Sequence, residues 1–284
     1  MKLKKVIAGT LAAVAAFATV GMASCGKTGE DVKVMKDILL TEEDYAFAIA
    51  KENTTLLEDV NGMLATWTED GSLAKLINSY FDGDNTFKYE NKTSAPQDDD
   101  FVMATNAAFP PFEFKKGASF TGVDVEIAYN IAQELGKDLF VYDMEFDSII
   151  SSVKTGESDI GMAGMTVNET RLLQVNFATP YYSSAQVITV RANDTTFDAC
   201  KTAADVEAIL ASKGKDYKVG TQNGTTGYMY SAGDEGFGYP GFTNLTTNGY
   251  TTGALAMKDL SNGKIDAVIL DLQPSLLIAE TTNK

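Results

Sequence analysis

The stretch from Phe101 to Arg191 alternates short apolar runs with segments of helical periodicity, and this alternation restricts the folds open to the chain. In chain order, the apolar runs and periodic segments are residues 102–104, 125–135, 140–142, 149–153 and 160–163. The order strand, helix, strand, helix, strand predicts an α/β fold with an open, mostly parallel sheet. Ligands of such sheets bind beyond the carboxyl ends of the strands. We therefore expect a binding site around Asn106 and the loop 164–166.

The same stretch carries four motifs in order. They read AxFPPFEF at residues 107–114, MxFDxII at 144–150, GxxDIxxAGMTxxxxR at 156–171 and PYYxSxQ at 180–186. Together they resemble the first lobe of the bacterial extracellular solute-binding proteins of family 3, which deliver polar amino acids to ABC transporters. The resemblance implies a two-lobe, type II periplasmic-binding-protein-like fold that closes on a free amino acid about a hinge. It also implies that the permease subunits of the transporter are partners, and that the protein is a monomer and not an enzyme.

The first 24 residues have the composition of a targeting segment. Lysines at positions 2, 4 and 5 precede an apolar, alanine-rich run at 6–20, which is too short to be a membrane-spanning helix. The sequence that ends in Cys25 resembles the end of a bacterial lipoprotein signal, with Cys25 as the lipidated residue. This implies an extracytoplasmic protein anchored to the cell membrane by its lipid. The alternative is an ordinary secretory signal followed by an incidental cysteine.

The charge balance argues against several classes of function. The chain has 23 basic and 39 acidic residues and no histidine, which gives a formal net charge of −16. An acidic protein is a poor partner for nucleic acid and for anionic lipid surfaces. Without histidine, and with Cys200 as the only cysteine besides Cys25, neither a zinc site nor a Cys–His nucleophile is expected. We expect no metal and no cofactor.

Two amphipathic helices are predicted ahead of the α/β stretch. The first runs through residues 56–64 with a capping box of Thr55 and Glu58, and the second runs through 73–81 with a cap at Ser72. In the family that the chain resembles, a hinge strand followed by two helices stands at the end of the chain. Here the corresponding segment stands near the beginning.

This order suggests a circular permutation of the family's fold. The predicted segments are 1–24 (signal), 32–40 (terminal strand of lobe 2), 41–45 (hinge), 46–84 (last helices of lobe 1), 85–100 (linker), 101–180 (lobe 1), 181–185 (hinge) and 186–284 (lobe 2). The linker is polar and acidic, contains Pro96 and lacks an apolar period. The alternative is a truncated binding protein preceded by an unrelated helical pair, which would leave lobe 1 without two helices and one hinge strand.

Two charged residues are the candidates for binding the ends of a zwitterionic ligand. Arg171 is predicted to bind the α-carboxylate, because a planar guanidinium can bond both oxygens at once. The alternative is a surface arginine that pairs with an acid such as Glu169. Asp271 is predicted to bind the α-ammonium, and its alternative is a helix N-cap ahead of residues 272–274. The sequence leaves both alternatives open.

The remaining candidates follow from position in the family. Gly164 and Thr166 would offer backbone and hydroxyl groups to the two ends of the ligand. In the segment GTQNGTTG at 220–227, Thr226 would contact the carboxylate from lobe 2, and Gln222 would face the ligand's side chain. This segment lacks the Gly-Lys-Ser/Thr ending of a nucleotide loop, so phosphate binding is not expected.

Three further residues would face the ligand's side chain. Phe109 and Phe146 would enclose its aliphatic carbons, and the alternative is that both are ordinary core aromatics. Asn106 stands where family members that bind basic or glutamine-type side chains commonly have Asp. An amide in place of that charge favours a neutral polar ligand.

Two rival functions remain open at the level of sequence. A dehydratase-like enzyme on the same fold would need a general acid or base, and Glu145 and Asp147 are the carboxylates available for it. A sensory protein would bind the ligand and signal through a separate partner chain.

Overall fold

The computed structural model describes residues 29–284. The predicted signal segment 1–24 and the predicted lipidation site Cys25 lie outside the described residues. Within residues 29–284, no helix combines the length and the apolar character needed to cross a lipid bilayer.

Short strands and helices alternate along the described chain. The strands are β1 (Val32–Val34), β2 (Glu43–Tyr45), β3 (Ala48–Ile49), β4 (Phe101–Thr105), β5 (Ala108–Phe109), β6 (Glu113–Lys116), β7 (Ser119–Thr121), β8 (Leu139–Asp143), β9 (Ile160–Gly161), β10 (Asn176–Phe177), β11 (Tyr182–Ser184), β12 (Gln186–Arg191), β13 (Lys218–Gln222), β14 (Thr246–Tyr250) and β15 (Ala267–Asp271). The α-helices are α1 (Thr54–Glu69), α2 (Ser72–Phe81), α3 (Val123–Glu134), α4 (Ile149–Thr155), α5 (Glu169–Leu172), α6 (Ala203–Ala211), α7 (Thr226–Ala232), α8 (Gly253–Ser261) and α9 (Leu272–Thr282).

These elements form two lobes, each built on a five-stranded sheet. The strand order is β10-β3-β9-β4-β8 in lobe 1 and β1-β12-β15-β13-β14 in lobe 2. In each sheet three adjacent strands run parallel, and the other two ladders are antiparallel. The predicted α/β class is confirmed, but the sheets are mixed. In each sheet one strand, β3 in lobe 1 and β12 in lobe 2, runs against the parallel trio, and the edge strands β10 and β1 pair antiparallel with it.

The two lobes are joined by an antiparallel ribbon of β2 and β11, in which Tyr45 lies opposite Tyr182 and Glu43 opposite Ser184. Each of these strands leads from the sheet of one lobe to the sheet of the other. The chain therefore passes twice between the lobes, in opposite directions and side by side.

The helical pair α1 and α2 confirms the two predicted amphipathic helices and packs on lobe 1. Its buried side chains are Leu56, Val60, Leu64, Leu73, Ile77 and Tyr80. The predicted caps are wrong. The Asn53 side chain accepts from the N–H of Leu56 at 3.3 Å, so the helix begins before Thr55, because asparagine is a strong N-cap residue. At α2, Ser72 lies inside the helix and donates its backbone N–H to the Asp70 carboxylate at 2.8 Å.

The first strand and the last helix of the described chain are neighbours in lobe 2. The Asn283 side chain accepts from the N–H of Val32 at 2.8 Å and donates to its carbonyl oxygen at 2.9 Å. Strand β1 pairs with β12 at the edge of the sheet. The two ends of the described chain therefore lie side by side.

The polar segment 85–100 is attached to lobe 1 through hydrogen bonds of its first half, residues 85–92. The backbone of Tyr89 exchanges two hydrogen bonds with Phe120, at 2.8 and 2.7 Å. The Asn91 side chain accepts from the N–H of Val141 at 2.8 Å and donates to its carbonyl oxygen at 2.9 Å. The Asn91 bonds occupy backbone groups of the edge strand β8, so this segment also covers part of an open sheet edge.

Candidate functional site

A cavity lies between the lobes, at the carboxyl ends of the parallel strands. Its walls are Asn106, Phe109, Glu113, Phe146, Ala163, Gly164, Thr166, Arg171, Gln222, Thr225, Thr226 and Asp271. All nine residues that the sequence nominated for ligand contact are among them. The structure therefore brings the nominated residues together around one space.

Arg171 lies on α5 with its guanidinium turned inward. It donates to the carbonyl oxygens of Thr166, at 2.5 Å, and of Gly224 in lobe 2, at 3.0 Å. The residue is 4 % exposed. Burial lowers its pKa to about 10, so the guanidinium stays charged at neutral pH. This placement is that of a buried cation at a cavity, not that of a surface partner for Glu169.

Asp271 lies at the end of β15, on the lobe 2 side of the cavity. It occupies the N-cap position of α9, but its carboxylate makes no capping bond and instead accepts from the Tyr45 hydroxyl. Burial, and then the nearby Glu43 carboxylate, raise the pKa of Asp271 to about 7. The carboxylate is therefore a buried acceptor that a cationic group would stabilise.

The ribbon between the lobes contributes two site residues that the sequence analysis missed. Tyr45 bonds Asp271, as described above. The buried Glu43 carboxylate accepts from the hydroxyls of Thr41 and Thr166, both at 2.6 Å, and from the Gln186 amide at 2.9 Å. Glu43 therefore links the ribbon to the Thr166 loop of lobe 1.

Glu113 was also missed, although it lies inside the FPPFEF motif. It is almost fully buried beside Asp124, whose carboxylate accepts from the N–H of Gly164 at 3.0 Å and from the Tyr181 hydroxyl at 2.6 Å. Burial, and then the neighbouring Asp124 carboxylate, raise the pKa of Glu113 well above its ordinary value. Both effects disfavour the charged form of the Glu113 carboxyl.

Gly164 is required by the geometry of its loop. Its φ of +51° lies in the left-handed region, and an added Cβ would come within 2.9 Å of the Phe109 ring and 3.1 Å of the Tyr45 ring. The backbone can therefore approach the cavity between two aromatic side chains only at a glycine.

Three hydrogen bonds close the cavity from lobe to lobe. In addition to the bond from Arg171 to Gly224, the Thr226 hydroxyl donates to that of Thr166 at 3.1 Å. The Gln222 amide nitrogen donates to the Asn106 side-chain oxygen at 3.0 Å. Residues of both lobes therefore form the walls of one cavity and are hydrogen-bonded to each other across it.

Comparison with known proteins agrees with this architecture. The model of "Bacterial extracellular solute-binding proteins, family 3" matches residues 101–231. A point mutant of arginine-bound ArgBP from T. maritima is 30% identical, with a TM-score of 0.53, over 65% of this chain and 79% of that chain. The chain belongs to this family.

Other relatives of this solute-binding protein carry related descriptions. The arginine-binding periplasmic protein of Mannheimia haemolytica is 29% identical over 64% of this chain and 66% of its own length. The ancestral amino acid-binding protein AncCDT-1, a precursor of cyclohexadienyl dehydratase, is 29% identical, with a TM-score of 0.55, over 64% of this chain and 74% of that chain. The chain spans from about a third to just under two thirds of the length of the first curated relatives that it matches.

Proposed function

We propose that this chain is the extracytoplasmic binding protein of an amino-acid ABC transporter and that it holds one free L-amino acid in the cavity between its lobes. The observation that carries the proposal is a buried Arg171 from lobe 1 and a buried Asp271 from lobe 2 that face the same cavity. A free amino acid carries one opposite charge for each of them. Arg171 would grip the carboxylate through a planar fork of donors, and Asp271 would accept from the ammonium.

Other groups that line the cavity can also bind the carboxylate and the ammonium of the ligand. The Thr226 hydroxyl lies 3.1 Å from that of Thr166, next to the arginine, and can turn its donor from Thr166 to a bound carboxylate. Gly164 lines the cavity, and its carbonyl oxygen would accept from the ammonium. Phe109 and Phe146 form apolar walls for the aliphatic carbons of the ligand.

The side-chain amides of Asn106 and Gln222 form a hydrogen-bonded chain at the cavity. This chain favours a ligand whose side chain is neutral and polar and donates a hydrogen bond. The Asn106 amide nitrogen donates to the carbonyl oxygen of Met144 at 2.8 Å, which fixes the orientation of this amide. The Asn106 oxygen must then accept from the Gln222 nitrogen, at 3.0 Å. The Gln222 oxygen is left buried at the cavity without a partner in the described chain. A free acceptor there suits a hydroxyl or amide donor and disfavours a carboxylate.

A thermal-shift screen against the twenty amino acids tests the proposal. A ligand that binds only the native state raises the melting temperature, and the shift grows with the logarithm of the ligand concentration divided by its dissociation constant. We expect one or a few neutral polar amino acids to give the largest shifts, and aspartate and glutamate to give none. A flat screen of a folded protein would overturn the proposed function.

We further propose that the ribbon of β2 and β11 acts as a hinge and that the pH sets the unliganded balance between closed and open forms. Burial in the closed form raises the pKa of Asp271 to about 7, whereas a solvated aspartate titrates near 4. The closed form therefore binds a proton more tightly. Its advantage over the open form grows as the pH falls below about 7 and is lost as the pH rises through that value.

For the ligand-free protein, we expect the ratio of closed to open molecules to rise about tenfold between pH 8 and pH 6. Small-angle scattering measures the change through the radius of gyration. The charged or titratable neighbours of Asp271 are Glu43, Tyr45, Glu113, Arg171 and Tyr182. The Asp271→Asn variant should lose most, but not all, of the pH dependence, because Glu113 and Asp124 remain as buried carboxyls with raised pKa values. An equally large pH effect in that variant would contradict the assignment to Asp271.

The proposal extends to the partners and the location of the protein. We propose that the permease subunits of the transporter recognise the closed form, that the protein acts as a monomer, and that a lipid on Cys25 anchors it to the cell membrane. Purification from membranes and intact-mass analysis of the N-terminal peptide would test the anchor. A peptide without the mass of a lipid on Cys25 would contradict it.

The enzyme alternative has one observation in its favour, which is the buried Glu113 at the cavity wall, whose pKa is raised by burial. A dehydratase needs a general acid, and a buried neutral carboxyl can serve as one. Glu145 and Asp147, the carboxylates considered from the sequence, are exposed and do not line the cavity. Incubation with cyclic hydroxy acids, followed by chromatography of the products, distinguishes the two functions. Turnover that is lost in Glu113→Gln would favour the enzyme.

A further inference from the structure

A loop of lobe 2, from Asp234 to Tyr239, lies over the buried arginine of lobe 1; we call it the lobe 2 loop. It follows α7 and contains a 3₁₀ turn at Glu235–Phe237. The backbones of Asp234 and Tyr239 bond each other at 2.9 and 3.0 Å. The Asp234 carboxylate accepts from the N–H of Phe237 at 3.0 Å. These bonds close the loop into a short hairpin and fix the position of Phe237.

The base of the lobe 2 loop is part of the core of lobe 2. The Tyr230 ring packs edge-on against Tyr239 and Phe242, with centroids 5.4 and 5.7 Å away. The N–H of Phe242 donates to the carbonyl oxygen of Ser231 at 2.9 Å. Because these contacts attach the loop to the core of lobe 2, we expect the loop to move together with lobe 2.

The tip of the lobe 2 loop contacts lobe 1. The Phe237 ring centroid lies 5.4 Å from the guanidinium carbon of Arg171, and Phe146 of lobe 1 lies at the same distance. The backbone at Gly236 packs so closely on Thr170 that an added Cβ would overlap the Thr170 hydroxyl. Arg171 is therefore held near one aromatic ring from each lobe.

We propose that the lobe 2 loop is a latch that engages only when the lobes close, and that Phe237 is a positioning residue for Arg171. The inference rests on the proposed binding of an amino acid. An aromatic face attracts a guanidinium, and the removal of water strengthens the ion pair of that guanidinium with a bound carboxylate. Since opening separates Phe237 from Arg171, the latch stabilises the closed form alone. It should slow the release of the ligand and leave its entry unchanged.

Replacement of Phe237 with alanine tests the latch. We expect the dissociation rate of the ligand to rise about 5- to 30-fold in Phe237→Ala, with an association rate within about twofold of the wild type. The melting temperature of the unliganded protein should not change. Phe237→Tyr keeps the ring and should restore the wild-type rate. The rates are measured by surface plasmon resonance, with the amino acid that gives the largest thermal shift as the probe.

A compensating pair of variants tests the contact between the lobes directly. Gly236→Ala adds a methyl group that overlaps the Thr170 hydroxyl in the closed form and should raise the dissociation rate. Thr170→Ala removes that hydroxyl, so the double variant should return to within about threefold of Thr170→Ala alone. A pair of variants that do not compensate would contradict the contact.

The possible results distinguish a failure of the latch from a failure of the proposed function on which it rests. A wild-type protein that binds no amino acid overturns the proposed function and the latch with it. A wild-type protein that binds while Phe237→Ala releases its ligand at the same rate overturns the latch alone. A fall in the association rate as large as the rise in the dissociation rate would assign Phe237 a general structural role and also reject the latch. A lower melting temperature without ligand would do the same.

Discussion

Replacement of Arg171 with alanine is expected to weaken amino-acid binding by roughly 30- to 5,000-fold, which corresponds to about 2–5 kcal/mol. The loss is large because the variant leaves the ligand's carboxylate buried without its charged partner. It also removes two hydrogen bonds to the carbonyl oxygens of Thr166 and Gly224. Titration calorimetry measures the affinity, and the melting temperature without ligand shows whether the variant is folded.

Lys154→Ala is the matched control for this prediction. It removes one positive charge from lobe 1 at an exposed position of α4, outside the cavity. Its affinity should equal that of the wild type. Arg171→Lys keeps the charge but loses the planar fork, so we expect an affinity between those of the wild type and Arg171→Ala. An affinity within a few-fold of the wild type in Arg171→Ala would show that the carboxylate lies elsewhere.

We propose that the chain is a circular permutant of its family, and we expect a rearranged chain to fold and bind. The rearranged chain begins at Phe101, continues from Lys284 through a short glycine-serine linker to Gly29, and ends at Asp100. It retains every described residue and changes only two covalent connections. The Asn283 side chain is hydrogen-bonded to both the N–H and the carbonyl oxygen of Val32, so the new connection spans a short distance. We expect its affinity to lie within about threefold of that of the natural order.

A deletion distinguishes the permutation from a truncated protein with an unrelated helical pair. Removal of residues 41–83 takes away β2, β3, α1 and α2, and with them six buried side chains of the helical pair. Each such side chain contributes about 1.5–3 kcal/mol by burial, so the total is comparable to the whole stability of a typical protein. We expect the deleted chain to be unfolded. A stable, ligand-binding product would contradict the permutation.

The parts of the fold that follow a local pattern could be predicted from the sequence. The periodicity of residues 125–135 and of the helical pair identified α3, α1 and α2. The antiparallel strands β3 and β10 could not be found, because they are two residues long and show no alternation. The cap of α1 was misassigned because Asn53 and Thr55 are both suitable residues, and only the backbone decides between them.

The site residues that could be predicted from the sequence are those that lie in the family's motifs, close to the ends of strands. Arg171 and Gly164 lie in one motif, and the structure places them in one cavity with Asp271. Tyr45 was missed because its partner Asp271 is 226 residues away, and no periodicity encodes such a contact. Glu43 was missed for the same reason, since it lies 123 residues from Thr166.

The central claim is that Arg171 and Asp271 recognise the two ends of one amino acid. It is tested most directly by titrating the protein with three compounds: the preferred amino acid, its α-carboxamide and its N-acetyl derivative. The amide removes the charge for Arg171, and acetylation removes the charge for Asp271. We expect each derivative to bind at least about 30-fold more weakly than the parent compound. A derivative that binds as tightly as the amino acid itself would contradict the account of the end that it lacks.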